Sequence, residues 1–229
     1  MKLGERLKTI AAMVPKGAVL ADIGTDHAYL PIFLVEQGIV SRAIAGDVHK
    51  GPYLSAKSTV LEAGLQDGIS VRLGDGLEVL TPGEADVIAI AGMGGPNIVD
   101  ILSSRPEIIS EVKRLILQPM IGAAQVRHWL TDNGWRLIQE QLVEDEGRLY
   151  QVIAAERGKG ELTEPILAEI GPLLWQERNP LLRRHIAELT SHLRGVLRAM
   201  SESREAVNSA KYQEFVGRLK DLEEKYKCL

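Results

Sequence analysis

The apolar positions of this chain follow two regimes in succession. From residue 3 to 14, Leu3, Leu7, Ile10, Ala11 and Val14 recur at three and four residues, the period of an amphipathic helix, which Pro15-Lys16-Gly17 then stops. Beyond it, short β-rich runs at 19–23, 42–48, 70–73, 86–91, 115–118, 136–144 and 150–155 alternate with helical patterns at 29–37, 52–63, 97–102 and 123–133. Such alternation predicts an α/β fold, a mostly parallel sheet with helices on both faces. Only residues 145–149 separate the last two runs, too few for a crossover helix, so these two strands are expected to pair as an antiparallel hairpin.

After Arg157-Gly158-Lys159-Gly160 strand-like runs cease. This marks a boundary between domains at 1–160 and 161–229. Leu182, Ile186, Leu189, Leu193, Val196 and Met200 are spaced by four and three residues, and Tyr212, Phe215, Leu219, Leu222 and Tyr226 repeat the alternation. Two long helices should pair as an antiparallel, coiled-coil-like hairpin that turns near 201–204.

Composition narrows the class. No apolar run among the 229 residues approaches the roughly 20 needed to span a bilayer, and the first residues lack the apolar core of a secretory signal, so a cytoplasmic protein without a membrane partner is expected. A monomer is the expected state. The lone Cys228 excludes an intramolecular disulfide. A net charge of −4 gives no global attraction to nucleic acid, so an RNA partner must be met by local patches. Candidates are Lys2, Arg6, Lys8 and Lys16, and Arg183, Arg184, Arg194 and Arg198.

Chemistry concentrates at the ends of the first four strands. The first runs into Asp22-Ile23-Gly24-Thr25-Asp26-His27-Ala28-Tyr29, and a glycine directly after that strand lets a ligand approach the backbone. The G-x-G-x-x-G of a nicotinamide enzyme is missing, and Asp26 stands where a pyrophosphate would sit. Carboxylates repel pyrophosphate but suit the cationic methionine end of S-adenosylmethionine. Asp47 lies 23 positions after Gly24, at the end of the second strand, where an acidic residue accepts hydrogen bonds from ribose hydroxyls. In Gly74-Asp75-Gly76-Leu77, Asp75 suits the exocyclic amine of an adenine and Gly76 permits close contact. The fourth strand is followed by Ala91-Gly92-Met93-Gly94-Gly95-Pro96-Asn97, read as a flexible glycine-rich loop. It lacks the Asn/Asp-Pro-Pro-aromatic segment of enzymes that methylate an exocyclic amine. A ring nitrogen such as adenine N1 fits that absence: its lone pair needs no deprotonation, and Asp26 would stabilise the cationic product. His27 has both an orienting and a purely structural reading.

The runs D-I-G-T-D-H-A-Y-L-P at 22–31, G-D-G-L at 74–77, A-G-M-G-G at 91–95 and L-Q-P at 117–119 together resemble the bacterial TrmK family of tRNA (adenine-22-N1)-methyltransferases. The likeness spans the chain, and a parallel sheet closed by an antiparallel hairpin is the arrangement of class I Rossmann-like methyltransferases. It implies methyl transfer from S-adenosylmethionine to an adenine N1 in the D-arm region of tRNA, without metal. It implies cofactor contacts at Gly24, Asp47, Asp75, Gly76 and Gly92, with Asp22, Thr25, His27, Val48, Leu77 and Met93 in the same set. The target base is implied near Asp26, His27, Tyr29 and Met93, and the helical hairpin would help grip the RNA. Methylation of a small molecule, or an inactive RNA-binding scaffold, are the alternatives.

Overall fold

The computed structural model describes residues 3–229, so Lys2 of the basic N-terminal group lies outside the described residues. Contacts divide the chain into one unit that ends at Glu161 and a second, Leu162–Leu229.

The first unit opens with α1 (Glu5–Ala12) and then alternates β1 (Val19–Ile23), α2 (Tyr29–Glu36), β2 (Arg42–Asp47), α3 (Lys50–Glu62), β3 (Ile69–Leu73), a 3-10 turn (Gly76–Val79), β4 (Val87–Met93), α4 (Gly95–Ser104), α5 (Pro106–Ile109), β5 (Arg114–Pro119) and α6 (Ala123–Asp132). It closes with β6 (Trp135–Asp145) and β7 (Arg148–Arg157). The strands form one sheet in the order β3-β2-β1-β4-β5-β7-β6. β1 to β5 pair in parallel, and β7 runs antiparallel to both β5 and β6. Central strands covered on both faces need continuous apolar runs, which is why Leu20, Ala21, Ile88, Ala89 and Ile90 have essentially no exposure. One face packs on α4 to α6 through residues such as Ile98, Leu102, Val126 and Leu130; the other packs on α1 to α3 through Ile10, Leu34, Ala56 and Val60. Each fully buried Leu or Ile contributes about 1.5–3 kcal/mol.

The hairpin between β6 and β7 turns on Glu146 and Gly147 alone, both with positive φ (49° and 77°), the backbone of the two-residue turn that matches strand twist. Against this hairpin, the only ion pair with no exposure in either partner among the described residues joins Arg127 of α6 to Glu140 of β6 at 2.6 Å, and Arg127 also donates to Gln151 of β7 at 2.8 Å.

The second unit contains α7 (Pro165–Ile170), α8 (Pro172–Gln176), α9 (Leu182–Met200), α10 (Arg204–Val207) and α11 (Ala210–Lys227). The α9 and α11 helices pack together, with Ile186, Leu193, Leu197 and Leu222 buried and Arg194 paired to Glu223 at 2.7 Å. The connection is longer than the turn expected at 201–204: α10 follows that turn, and Ser209 then caps α11 by accepting from the Tyr212 N–H. Among the described residues no helix is long and apolar enough to cross a membrane.

Candidate active site

In a doubly wound sheet ligands bind beyond the carboxyl ends of the strands, where the strand order reverses. Here the reversal lies between β1 and β4. At that point a cleft of about 550 Å³ opens, a size that accepts a nucleoside-sized ligand. Gly24, Asp26, Asp47, Val48, Asp75, Gly76, Gly92 and Met93 line it together, although they come from four separate strand ends.

The turn after β1 is held from beneath and from the side. Gly24 and Thr25 donate their N–H groups to Gly46 O at 2.9 and 3.0 Å. The Asp26 N–H donates to Asp47 Oδ2 at 3.3 Å, and the His49 N–H donates to Asp47 Oδ1 at 2.9 Å. The Asp47 carboxylate is therefore fixed in orientation by two backbone donors, yet each oxygen keeps acceptor capacity. Asp26 and Ala28 have φ of 56° and 57°, a conformation costly for residues other than glycine and characteristic of functional turns. Neither caps α2 with its side chain. A Cβ on Gly24, at φ 76°, would collide with Met93 Cε, so the thioether rests directly on that glycine.

Asp22 lies one layer below. It is 6% exposed, accepts from Thr25 Oγ1 at 2.7 Å, and does not line the cleft. Burial pushes its pKa up to about 6; the Thr25 hydroxyl and the Arg6 charge pull against this, and the Asp47 charge adds to it. Thr25 is turned inward as the donor of that bond. Leu77 has no exposure and packs in the core with Ile98 and Leu102, so only its backbone is left for a ligand. His27 and Tyr29 stack with ring centroids 5.1 Å apart, outside the cleft lining. Ser55 Oγ lies 2.6 Å from His27 Nδ1, and Asp26 Oδ2 is 3.5 Å from Nε2.

The glycine-rich segment after β4 is not a flexible loop. Gly92 and Met93 belong to β4, Gly95 begins α4, and a Cβ on Gly95 would run into the Gly122 carbonyl, so backbone packs on backbone there. That close seat brings Asn97, Asp100 and Ile101 of α4 into the cleft, three residues to which the sequence reading gave no site role. Their spacing at i, i+3 and i+4 was the available signal, two polar residues on one helix face. His49 and Pro52, at the start of α3, complete the lining from the opposite side.

Four carboxylates, Asp26, Asp47, Asp75 and Asp100, face this space, and among the described residues neither lysine nor arginine lines it. A pyrophosphate would be repelled. A ligand that carries positive charge, hydroxyls and an amine is favoured.

Residues 3–153 match the family of methyltransferase domains. The tRNA (adenine(22)-N(1))-methyltransferase of Bacillus subtilis is 41% identical over 98% of this chain and 97% of its own length. The crystal structure of Streptococcus pneumoniae Sp1610 in complex with S-adenosyl-L-methionine superposes with a TM-score of 0.88 at 35% identity, covering 98% of this chain and 100% of that one. Mycoplasma capricolum TrmK in complex with S-adenosyl-homocysteine does so with a TM-score of 0.85 at 26% identity, covering 99% of each. A cleft of this composition at the switch point, with likeness along nearly the whole chain, places the protein in the methyltransferase-domain family and, within it, among the tRNA (adenine(22)-N(1))-methyltransferases.

Proposed function

We propose that this chain transfers the methyl group of S-adenosylmethionine to N1 of adenine 22 in tRNA. The observation that carries the reading is the switch-point cleft with four carboxylates and, among the described residues, no lysine or arginine in its lining. Its donors and acceptors fit that cofactor. Asp47 accepts from the ribose hydroxyls, Asp75 from the exocyclic amine of the cofactor's adenine, and the half-exposed Val48 covers the ring. Gly24, Gly76 and Gly92, all at positive φ, admit the ligand close to the backbone. Asp22 and Thr25 act from beneath by holding the turn. When bound, S-adenosylmethionine supplies an electrophilic methyl group, and its positive charge passes to the acceptor ring.

Adenine N1 presents a lone pair, so no residue has to remove a proton before transfer. Positioning then supplies most of the acceleration. The Asp26 carboxylate, on its constrained turn, stabilises the cation that forms on the base. The stacked His27 and Tyr29 offer a face to the flipped base, with His27 oriented by Ser55. Met93, seated on Gly24, marks the boundary between donor and acceptor. The helical unit grips the RNA through Arg183, Arg184, Arg194 and Arg198 of α9.

The test uses tritium transfer from S-adenosylmethionine to two tRNA transcripts, one with adenine 22 and one with guanine in its place. Incorporation into the first alone is expected. Equal incorporation into both would refute the assignment of the acceptor.

A further inference from the structure

The Arg6 guanidinium borders the cleft beside Gly92 without lining it. Its helix is pinned by the Arg6 N–H, which donates to Asp145 Oδ2 at 3.1 Å. The side chain crosses the carboxyl ends of the strands. Nη1 donates to Gln118 Oε1 at 2.6 Å, and it lies 3.6 Å from the position a Cβ on Gly92 would take. Gly92 lines the cofactor cleft, so a single residue of backbone separates that cleft from the guanidinium. Cζ stands 5.5 Å from the centroid of the Tyr150 ring.

This arrangement leaves the arginine half-used. Gln118 has no exposure, and among the described residues its own Nε2 donates only to Met120 Sδ at 3.5 Å. Nε and Nη2 of Arg6 make no hydrogen bond among the described residues, although the side chain is half-buried. Anchoring α1 to β5 through a neutral amide would not require a guanidinium; its charge also acts on the buried Asp22 carboxylate, but no hydrogen bond joins the two among the described residues, so that attraction leaves the donor fork open. A half-buried donor fork with open positions is costly unless an acceptor arrives, and a planar fork suits phosphate oxygens. The cleft's own carboxylates cannot hold a phosphate, so the RNA backbone must find its cation outside the lining, next to the methyl-transfer point.

We propose that Arg6, oriented by Gln118, binds a backbone phosphate adjoining the target adenine and so positions N1 for transfer. This rests on the tRNA methyltransferase reading. Tyr150 supports the guanidinium from one face, and Gly92 is small enough to let nucleotide and arginine approach each other.

The experiment compares wild type with full-length Arg6→Ala, Arg6→Gln and Arg6→Lys. Equilibrium tRNA binding by fluorescence anisotropy and kcat/KM for tRNA are measured across a salt series, with cofactor Kd by calorimetry. Arg6→Gln keeps an amide to meet Gln118 and serves if the alanine variant fails to fold. The neutral variants are expected to lose roughly 10- to 100-fold in kcat/KM for tRNA, as for a charge-assisted hydrogen bond, while cofactor Kd is unchanged. Their log–log salt slope should be shallower by about 0.7–0.9, the loss of one phosphate contact. Arg6→Lys should restore the slope and only part of kcat/KM. A neutral variant that loses activity with an unchanged salt slope makes Arg6 a structural anchor and overturns the proposal. Because binding is read separately, a wild type that binds tRNA without methylating adenine N1 refutes the functional reading while the slope still decides the role of Arg6.

Discussion

Replacing Asp22 with asparagine isolates what a buried carboxyl costs beneath the turn. Asp22 is 6% exposed, and burial, its largest perturbation, lifts its pKa from 3.8 to about 6. That separation is worth about 3 kcal/mol at roughly 1.36 kcal/mol per pH unit. Below pH 3.8 the group is protonated in folded and unfolded chains alike and costs nothing. Between 3.8 and about 6 the unfolded chain ionises first, so stability falls as pH rises, and above about 6 the loss is complete. Asparagine keeps an oxygen for Thr25 Oγ1 at 2.7 Å and carries no charge to desolvate, but gives up the attraction of Arg6. Asp22→Asn is therefore expected to be about 2–3 kcal/mol more stable than wild type at about pH 7.5, and within about 0.5 kcal/mol of it near pH 4. Urea unfolding at a series of pH values measures both. A gap of equal size at the two ends of the series would refute the assignment of a raised pKa to this carboxyl.

The other substitutions probe the core and the cleft. Glu140→Leu alone strands the buried Arg127 and should cost about 3–5 kcal/mol, whereas Arg127→Met with Glu140→Leu recovers most of that in the same urea assay. Gly95→Ala drives a Cβ into the Gly122 carbonyl and should destabilise by about 2–3 kcal/mol, read from the melting temperature. Asp47→Ala removes the acceptor for the Asp26 and His49 N–H groups as well as the proposed ribose ligand. Cofactor Kd should rise at least roughly 10-fold, and an unchanged Kd would take Asp47 out of the site. Asp26→Ala should leave that Kd nearly intact and lower kcat at saturating tRNA, and equal turnover would remove Asp26 from the chemistry.

Much of this architecture was legible because its signals are local. The central strands β1 and β4 were plainest, because a strand buried on both faces must be largely apolar, as Leu20, Ala21 and Ile88 to Ile90 are. The β6–β7 hairpin followed from a connection too short for a helix, and its Glu146-Gly147 turn is the reason it can be so short. The four-residue helices α5 and α10 escaped, since one turn is too short to display a 3.6-residue period. Asp22 and Asp47 show the limit at the site. Both are aspartates near the end of a neighbouring strand, yet Asp47 meets the cleft while Asp22 turns inward to Thr25 under the field of Arg6. Residue type and strand position alone do not distinguish the two orientations. Asn97 and Asp100 were likewise hidden, because their place in the cleft follows from the Gly95–Gly122 contact.

The acceptor atom itself is read by nucleoside mass spectrometry of tRNA incubated with the enzyme and methyl-labelled S-adenosylmethionine. The label should appear in N1-methyladenosine recovered from position 22, and in that nucleoside alone. Label on the exocyclic amine of adenine, on another base, or on no nucleoside while the cofactor binds normally, would contradict methylation at this nitrogen.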